Sequence, residues 1–314
     1  MLLASLRAKI IPDASQELLL KNIIQLLRFV LNHDANKGKR FAAFRDLLKW
    51  QIGSRLVPGD VVFNWLEETK LIVANGEAGL TGNVYTGLHE FADMAFLLHF
   101  LRPEDTFFDI GANRGAYTVL ASGVCGAKTV AFEPVPGTFA KLEANIRVNQ
   151  LEKLATARNS GLGDKEGELW VSASLDSANH IVPEHSKVEK IRVPVRRLDD
   201  ATTEIPALIK IDVEGFEMNV FSGAAGVLSN SMLKCLIVEV NDAGKRYGFQ
   251  ATDILDHLGK FGFDPYLYHP IERRLEPTTV GLSPNGNTLF LRDLEHVRSR
   301  VETAKKVAVR SLHV

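Results

Sequence analysis

The sequence predicts an α/β fold in which a mostly parallel sheet is covered by helices on both faces. From Thr106 onward, short apolar runs alternate with segments whose apolar residues recur at helical spacing, and this alternation is typical of parallel sheets. Glycines and acids follow the first apolar run, in "FFDIGANRGAYT", as expected where a parallel strand turns into a helix beside a ligand. With 314 residues and 46% hydrophobic content, the chain can bury a large core.

The region before Thr106 does not show this alternation of strands and helices. Residues 1 to about 56 are predicted to be helical. Residues 60–86 are predicted to form short strands and turns, because β-branched runs alternate there with glycine and asparagine. A further helix from Leu88 leads into Pro103. We therefore divide the chain into a helical extension with short strands (1–86), a main domain (87–293) with an insertion near 168–198, and a helical tail (294–314).

Seven strands are predicted in the main domain, and helices connect most of them. The strands are "TFFDIG", "AKTVAFEP", "KLATARNSGLGD", "PALIKIDVEG", "KCLIVEVN", "DPYLYHP" and "NGNTLFLRD". The helices are "AYTVLASGVC", "PGTFAKLEANIRVNQ", "EMNVFSGAAGVLSN" and "ATDILDHLGKFGF". Extra β-like sequence between the third and fourth strands interrupts this alternation and predicts an insertion at one edge of the sheet.

Charge and composition narrow the classes of partner. Lys and Arg number 37 against 38 Asp and Glu, a net charge of -1, whereas nucleic-acid binding usually needs a cationic excess or patch. Cys125 and Cys235 have no neighbour at metal-ligand spacing and are predicted to be reduced. The run "LLLKNIIQLLRFVL" is too short and too charged for a membrane span, and no secretory leader is recognisable. We therefore expect a cytoplasmic protein with no membrane span.

The loop after the first predicted strand is the first candidate binding site. Its residues Asp109, Gly111, Asn113 and Gly115 match neither G-x-G-x-x-G nor the Walker pattern, the two glycine patterns that cradle phosphates. An acid at this point disfavours a pyrophosphate but suits an ammonium group. S-adenosylmethionine carries an ammonium and a sulfonium and has no phosphate, so the loop favours it as the cofactor.

Two later strand ends extend the predicted cofactor site. Glu133 ends the second strand, 24 positions after Asp109, where an acid can accept hydrogen bonds from both ribose hydroxyls. The loop "NSGLGD" follows the third strand, where the adenine edge would fall. Ser160 and the backbone of Gly161 and Leu162 are the candidates for that contact.

The fourth strand ends in the acidic stretch "KIDVEGFE". Buried carboxylates without partners are costly, so Asp212 and Glu214 are expected to meet a ligand, the acceptor, a cation or backbone amides. The alternative is that acids from Asp212 to Glu217 only stabilise the N-terminus of the next helix. We expect that second role for Glu217.

Taken together, these motifs resemble the FkbM family of S-adenosylmethionine-dependent methyltransferases. The resemblance rests on "DIGANRGAYT", "AFEPVPGTFAKLEANIRVN", "IKIDVEGFEMNVFSGA" and "LIVEVN", and on the lead-in "YTGLHEFADMAFLLHFLRPEDTF". In order and spacing they cover roughly residues 85–292. The resemblance implies a class I Rossmann-like domain with a mostly parallel seven-stranded sheet. It also implies methyl transfer to an oxygen, with hydroxyls of sugars or polyketide products as the acceptors of similar proteins.

The resemblance also assigns roles residue by residue. Asp109, Gly111, Asn113 and Gly115 match the cofactor loop, and Glu133 matches the ribose acid. Asp212 and Glu214 match the acidic strand end near the methionine part and the acceptor. Glu90 is a further expected contact to the amino-acid end of the cofactor. The residues before about 56 lie outside the resemblance, and homo-oligomerisation or a cap over the acceptor site are both open for them.

Methyl transfer from a sulfonium to a hydroxyl requires alignment and removal of a proton. His180, in the insertion, is the first candidate base, with Asn179 as a substrate contact; an ordinary loop histidine is the alternative. Glu239 ends the fifth strand and is a candidate base, substrate ligand or metal ligand, or else a structural acid. Asp212, Glu214 and Glu239 could together hold a hard cation such as Mg²⁺, and the sequence leaves this open.

Three other functions compete with this interpretation. A nicotinamide-dependent sugar-modifying enzyme would show G-x-G-x-x-G or Tyr-x-x-x-Lys, and both are missing from the sequence. An amino-methylating nucleic-acid enzyme would carry Asn/Asp-Pro-Pro-aromatic where "IDVEGF" stands. A non-catalytic scaffold that binds the cofactor remains open. The sequence therefore predicts an O-methyltransferase acting on a small molecule or glycan, with a sugar as the first candidate acceptor.

Overall fold

The computed structural model describes residues 14–56, 59–74, 78–172, 179–279, 286–310 and 312–314. Its helices are α1 (Ala14–Asn32), α2 (Arg40–Leu56), α3 (Ala78–Thr86), α4 (Phe91–Phe100), α5 (Ala116–Val119), α6 (Pro136–Val148), α7 (Leu198–Ala201), α8 (Glu217–Ser222), α9 (Ala225–Ser229), α10 (Ala251–Gly259) and α11 (Leu294–Glu302). Its strands are β1 (Val61–Asn64), β2 (Lys70–Val73), β3 (Thr106–Ile110), β4 (Lys128–Phe132), β5 (Ala155–Arg158), β6 (Gly161–Leu162), β7 (Gly167–Ser172), β8 (Lys190–Arg196), β9 (Leu208–Ile211), β10 (Cys235–Glu239), β11 (Asp264–His269), β12 (Arg274–Pro277), β13 (Asn287–Leu291), β14 (Ala308–Val309) and β15 (Leu312–His313).

The main sheet of the described residues has eight strands in the order β12-β11-β13-β10-β9-β3-β4-β5. The strands from β10 to β5 are parallel, and β13 runs antiparallel between β10 and β11. All seven predicted strands are present, and β12 adds an antiparallel eighth at the edge. The predicted mostly parallel α/β fold of the class I Rossmann-like type is confirmed.

Successive residues of the central strands face opposite cores. Phe107 belongs to a cluster that includes side chains of α4 and α11, whereas Phe108 belongs to a cluster with side chains of α8, α9 and α10. Both rings are fully buried. Because adjacent strand residues point to opposite faces, helices cover both sides of the sheet in the described part of the chain, and the strand ends are where a ligand can reach it.

The N-terminal region packs as helices and a hairpin against one end of this sheet. Strands β1 and β2 pair antiparallel, and Asn145 and Asn149 of α6 hydrogen-bond the backbone of β2. Buried residues of α1, α2 and α3 share one cluster with Leu142 and Ile146 of α6. None of the helices in the described part of the chain has the length and apolar character needed to cross a membrane.

The segment 78–86 differs from the predicted strands and turns, because it forms helix α3. Every residue from Leu80 to Thr86 is buried, the polar Thr81, Asn83 and Thr86 included. Gly82 packs against His89, whose ring would collide with any side chain at that position. Burial therefore overrides the low intrinsic helix propensity of the glycines.

The single helix predicted over "EMNVFSGAAGVLSN" is divided into α8 and α9. A side chain at Gly223 would collide with the carbonyl oxygen of Gly163, so the chain passes close to the insertion there and the helix breaks. Asp199 then caps the second piece by accepting from the backbone N–H groups of Gly226 and Val227, both at 3.0 Å. Asp199 thus has a structural role at a helix N-terminus.

The tail was predicted to be helical throughout residues 294–314, and this is wrong beyond Glu302. After α11, strands β14 and β15 pair antiparallel. Buried Val307 and Val309 alternate with exposed Ala308 and Arg310, which is the period of a half-buried strand. The other domain boundaries remain predictions.

Candidate active site

The carboxyl ends of β3, β4, β9 and β10 open into a cavity of about 280 Å³. The structure brings eleven of the twelve predicted site residues to the wall of this cavity. They are Glu90, Asp109, Gly111, Asn113, Glu133, Ser160, Asn179, His180, Asp212, Glu214 and Glu239. Gly115 is not part of the wall; it precedes α5 with φ 84° and packs against Leu142.

The loop after β3 approaches the end of β9 very closely. Gly111 has φ 77°, and a Cβ at this position would collide with the carbonyl oxygen of Asp212. The backbone N–H groups of Gly111 and Ala112 both donate to the carbonyl of Phe132 at 3.0 Å. Only glycine combines this left-handed conformation with such a close approach, so Gly111 fixes the loop against two strand ends.

Glu133 is held by the same loop. Its Oε2 accepts from the Asn113 N–H at 3.0 Å and its Oε1 accepts from the Val135 N–H at 2.9 Å. Burial raises the pKa of Glu133 to about 7, although these two amides oppose the rise. Each carboxylate oxygen keeps a further lone pair, so the side chain is oriented and can still accept two hydroxyl hydrogen bonds.

A buried lysine that the sequence interpretation did not consider contacts one of the predicted acids. The Nζ of Lys210 donates to Asp212 at 2.8 Å and lies 4.9 Å from the centre of the Tyr117 ring. Burial alone would lower the pKa of Lys210, but the neighbouring carboxylates, Asp212 foremost, raise it above its usual value. A lysine within the otherwise apolar run "ALIKID" was the signal in the sequence.

Asp109 is the most buried of the predicted acids, with 1% of its surface exposed. Its Oδ2 accepts from the hydroxyl of Thr118 at 2.6 Å. Burial raises the pKa of Asp109, and the positive charge of Lys210 opposes the rise. The carboxyl group is therefore fixed at the start of the glycine loop.

Glu90 lies in a second polar network at the cavity wall. It accepts from the hydroxyl of Tyr117 at 2.7 Å and from the amide of Asn287 at 2.9 Å. The same amide also donates to Asp93 at 3.1 Å. Burial, followed by the charge of Glu90, raises the pKa of Asp93 to about 7. Asp93, Tyr117 and Asn287 were missed from the sequence, although an aspartate inside the apolar helix α4 was a visible signal.

Three carboxylates converge at the ends of β9 and β10. Oxygens of Asp212, Glu214 and Glu239 all lie within 4.8 Å of one another. Burial raises the pKa of Glu239 to about 9, and that of Glu214 to about 7, with neighbouring acids adding to both rises. Oε2 of Glu239 is buried and has no hydrogen-bond partner among the described residues. Like charges this close raise one another's pKa values, and the positive charge of Lys210 opposes only part of the rise.

Glu217, in contrast, is a structural acid, as expected. Its Oε1 accepts from the backbone N–H groups of Val213 and Gly215, at 3.3 and 3.1 Å. These bonds close the turn in which Glu214 has φ 54° and Gly215 has φ 100°. Glu217 thus aims the Glu214 side chain at the cavity.

The insertion forms the other wall of the cavity. Strands β6, β8 and β7 make a separate small sheet, and Asn179 and His180 line the cavity beside it. The backbone of His180 is fixed, because its carbonyl accepts from the Ser172 N–H and its N–H donates to the Ser172 hydroxyl, both at 3.0 Å. The same hydroxyl lies 3.3 Å from Oδ1 of Asn179.

The cavity as a whole is acidic. Its wall carries six carboxyl side chains against Arg114 and Lys210 as the strongly basic groups. Carboxylates on low-dielectric walls concentrate a negative potential. The arrangement can orient a ligand with hydroxyl groups, hold positive charge, and place an imidazole opposite the carboxylates.

Comparison with known proteins finds the same family by its family model and by a related protein. The family "Methyltransferase FkbM domain" matches residues 109–265, half of the 314-residue chain. The 31-O-demethyl-FK506 methyltransferase FkbM of Streptomyces tacrolimicus is 29% identical over 214 residues, 56% of this chain and 80% of that protein. The hexuronic acid methyltransferase AglP of Haloferax volcanii is 27% identical over 148 residues, 46% of this chain and 59% of that protein.

Two further similarities cover part of the related chain. Methyltransferase 1 of Beauveria bassiana is 28% identical over 148 residues, 38% of this chain and 59% of that protein. The crystal structure of methyltransferase FkbM from Methylobacillus flagellatus KT matches with a TM-score of 0.42 and 16% identity, over 79% of this chain and 59% of that chain. This chain thus spans 59% of the length of the Beauveria protein.

Proposed function

This chain belongs to the FkbM methyltransferase family, and we propose that it transfers a methyl group from S-adenosylmethionine to a hydroxyl oxygen of a small molecule or glycan, with a sugar as the first candidate. The observation that carries the proposal is the convergence of the glycine loop, Glu133, His180 and the acidic strand ends on one cavity. These residues come from four parts of the chain, and each has a separate task in methyl transfer.

We assign the cofactor to the side of the cavity formed by β3 and β4. Glu133 would accept from the ribose hydroxyls through its remaining lone pairs, and Ser160 would meet the adenine edge. Asp109 and Glu90 would face the amino-acid end, where the ammonium group is. Gly111 and Asn113 would let the backbone approach the cofactor, while Gly115 only sets the start of α5. The acidic wall supports a ligand that carries a sulfonium and an ammonium.

We assign proton removal to His180. As the new oxygen–carbon bond forms, the carbon–sulfur bond breaks, sulfur keeps the electron pair, and the hydroxyl proton moves to an unprotonated nitrogen of the imidazole. A carboxyl group with a pKa of about 9, such as Glu239, is protonated at neutral pH and is a poor base there. Glu239 would instead orient the acceptor, together with Asp212, Glu214 and Asn179.

A divalent cation fits the three converging carboxylates. Asp212, Glu214 and Glu239 offer oxygen ligands, which hard cations prefer. Oε2 of Glu239, which has no hydrogen-bond partner among the described residues, is consistent with a ligand role. Bound Mg²⁺ would lower the pKa of a coordinated hydroxyl. Glu239 would be ionised in that state, because the charges of Asp212 and Glu214 would be offset. The residues present thus support a cation as part of the acceptor site.

The acidic wall also bears on the acceptor. A neutral sugar can donate hydroxyl hydrogen bonds to carboxylates, whereas a sugar acid would bring a further negative charge into a cavity whose wall already carries carboxylates. The related Haloferax protein is named for hexuronic acid. For this chain we propose a neutral acceptor, whose hydroxyl rather than a carboxylate would meet the cation.

The test is an acceptor screen with methyl-labelled S-adenosylmethionine. Neutral sugars, uronic acids and non-sugar alcohols are incubated with the protein, with and without Mg²⁺, and labelled methyl ethers are identified by mass spectrometry. An O-methylated neutral sugar would support the proposal in full, and methyl ethers of uronic acids alone would overturn the acceptor assignment. Cofactor binding without any product from the whole panel would instead favour a non-catalytic scaffold.

A further inference from the structure

Helix α2 exposes a row of large apolar side chains to solvent. Their exposed fractions run from 37% to 82%, and they recur every three or four residues, so they lie along one side of the helix. The row, called the α2 stripe below, consists of Phe41 (82%), Phe44 (37%), Leu48 (44%), Ile52 (58%) and Leu56 (76%). Such a contiguous apolar surface marks a docking site more often than scattered exposed residues do.

The opposite side of α2 is already used to fix the helix to the protein. Ala43, Leu47 and Ser54 are buried there. Gln51 donates from its side chain to the Tyr85 hydroxyl of α3 at 2.8 Å, and Arg310 donates to Asp46 at 2.7 Å. The α2 stripe therefore faces outward on a helix that these contacts already fix, and its side chains are not part of the core.

Basic side chains flank the stripe. Residues 39–56 contain five lysines or arginines and one acid, Asp46, whereas the whole chain has a net charge of -1. That acid already accepts from Arg310 and from Arg45. Arg45, Lys49 and Arg55 are interleaved with the apolar residues of the stripe and are largely exposed. The surface is thus apolar along its centre and cationic along its sides.

We propose that the α2 stripe docks on an anionic lipid surface. Apolar side chains of an amphipathic helix enter the boundary between headgroups and acyl chains, while long basic side chains reach the anionic headgroups. A second copy of the chain fits less well, because pairing across a two-fold axis would bring the same cationic flanks together. Charge complementarity therefore selects the anionic surface.

Helix α3 connects the helix that carries the α2 stripe to the cavity described above. Helix α3 packs against α2, and Tyr85 of α3 receives the hydrogen bond from Gln51. Gly79 and Leu80, at the other end of α3, line the cavity. Docking would place the cavity beside the membrane surface, and it is independent of the chemistry in the cavity.

The test is co-sedimentation of the full chain with vesicles of phosphatidylcholine alone and with roughly one third phosphatidylserine. The protein should bind the anionic vesicles, and high salt should weaken binding by screening. Leu48→Glu with Ile52→Glu should abolish the sedimented fraction. Met232→Glu with Ile271→Glu, on side chains 64% and 57% exposed elsewhere, is the matched control and should bind as wild type.

A second pair of substitutions, which removes charge without placing acids on the α2 stripe, tests the proposal even if the glutamate variants fail to fold. Arg45→Gln with Lys49→Gln should weaken vesicle binding about fivefold for each lost charge, whereas Lys165→Gln on the exposed loop before β7 should not. S-adenosylmethionine affinity, measured in parallel, should be unchanged in all of these variants.

Equal binding of stripe and control variants would overturn the proposal, as would no binding to anionic vesicles. A dimer in solution that dissociates only when the stripe is mutated, with no vesicle binding, would also overturn it and assign the face to a second copy.

Discussion

The two sides of the cavity satisfy their acids in different ways. On the β3–β4 side, Glu133 accepts from two backbone amides, and Asp109 accepts from Thr118 beside the cation of Lys210. On the β9–β10 side, Glu214 and Glu239 face Asp212 and each other, and their pKa values rise to about 7 and about 9. The acids of the first side are fixed by hydrogen bonds. On the second side Lys210 offsets only part of the negative charge, and Oε2 of Glu239 has no hydrogen-bond partner among the described residues.

This difference suggests which side provides binding and which provides chemistry. Glu133 and Glu214 both have pKa values of about 7, so the distinction rests on hydrogen bonding. Oriented, satisfied groups hold a constant ligand, whereas the largest carboxyl pKa shift, at Glu239, lies on the side with the unsatisfied carboxylate oxygen, as is common at catalytic centres. We therefore expect variants on the first side to change cofactor affinity, and variants on the second to change turnover and the pH dependence of stability.

The largest effect should come from removing the cation that joins the two sides. Lys210→Met leaves Asp109 and Asp212 without their positive partner, and breaking a buried pair costs about 3–5 kcal/mol. Chemical denaturation should show this loss of unfolding free energy. Lys234→Met, which breaks the more exposed pair with Asp293, is the control and should cost less than about 1 kcal/mol. Equal losses in the two variants would mean that Lys210 does not hold the sides together.

The next effect separates chemistry from binding. His180→Ala should lower turnover by about a hundredfold or more, as loss of a general base does, with S-adenosylmethionine affinity unchanged. His185→Ala, an exposed histidine of the same insertion, serves as the control and should keep full turnover. Normal turnover of His180→Ala on the true acceptor would remove His180 from the mechanism.

On the preorganised side, Glu133→Ala should weaken S-adenosylmethionine binding by about 1.5–3 kcal/mol, the range for hydrogen bonds to a charged group. Calorimetry measures this directly. Glu143→Ala, on the exposed surface of α6, should leave affinity unchanged. An unchanged affinity of Glu133→Ala would contradict the ribose assignment.

The smallest effect concerns pH. Because the folded-state pKa of Glu239 is about 9 against 4.5 for the free group, its contribution to stability is fully present below pH 4.5 and is lost as pH rises through 9. Glu239→Gln removes this dependence, so it should match wild type near pH 5 and melt at a higher temperature than wild type near pH 9. Thermal melts across this pH range measure the difference.

The exposed Glu152 offers a control for that pH series, and Glu152→Gln should follow wild type throughout. Added Mg²⁺ should raise the melting temperature of wild type at pH 9 and leave Glu239→Gln unaffected if the carboxylates bind a cation. A Glu239→Gln variant less stable than wild type at pH 9 would show that the carboxylate is already compensated.

The sequence predicted the groups that belong to strand ends and missed those that depend on distant packing. Asp109, Glu133 and Asp212 each follow an apolar run, so their place at one edge of a parallel sheet was predictable. Asn287 meets Glu90 across 197 positions of sequence, and only the sheet order brings them together. The convergence of Glu239 on Asp212 likewise requires β9 and β10 to be neighbours.

Local structure was mispredicted where tertiary contacts decide it. Helix α3 carries two glycines and forms because it is buried on all sides. The break between α8 and α9 depends on the contact of Gly223 with Gly163, which no local pattern reveals. Lys210 was overlooked because one lysine does not change the apolar character of a strand, although a buried lysine needs acidic partners.

The most direct test of the central claim is calorimetric titration of the protein with S-adenosylmethionine and, separately, with NAD and NADP, each with and without Mg²⁺. We predict binding of S-adenosylmethionine alone, because the β3 loop presents Asp109 rather than a phosphate cradle and Glu133 is already oriented for ribose. Binding of a nicotinamide nucleotide without S-adenosylmethionine would contradict the assignment of the loop and of the cavity built around it.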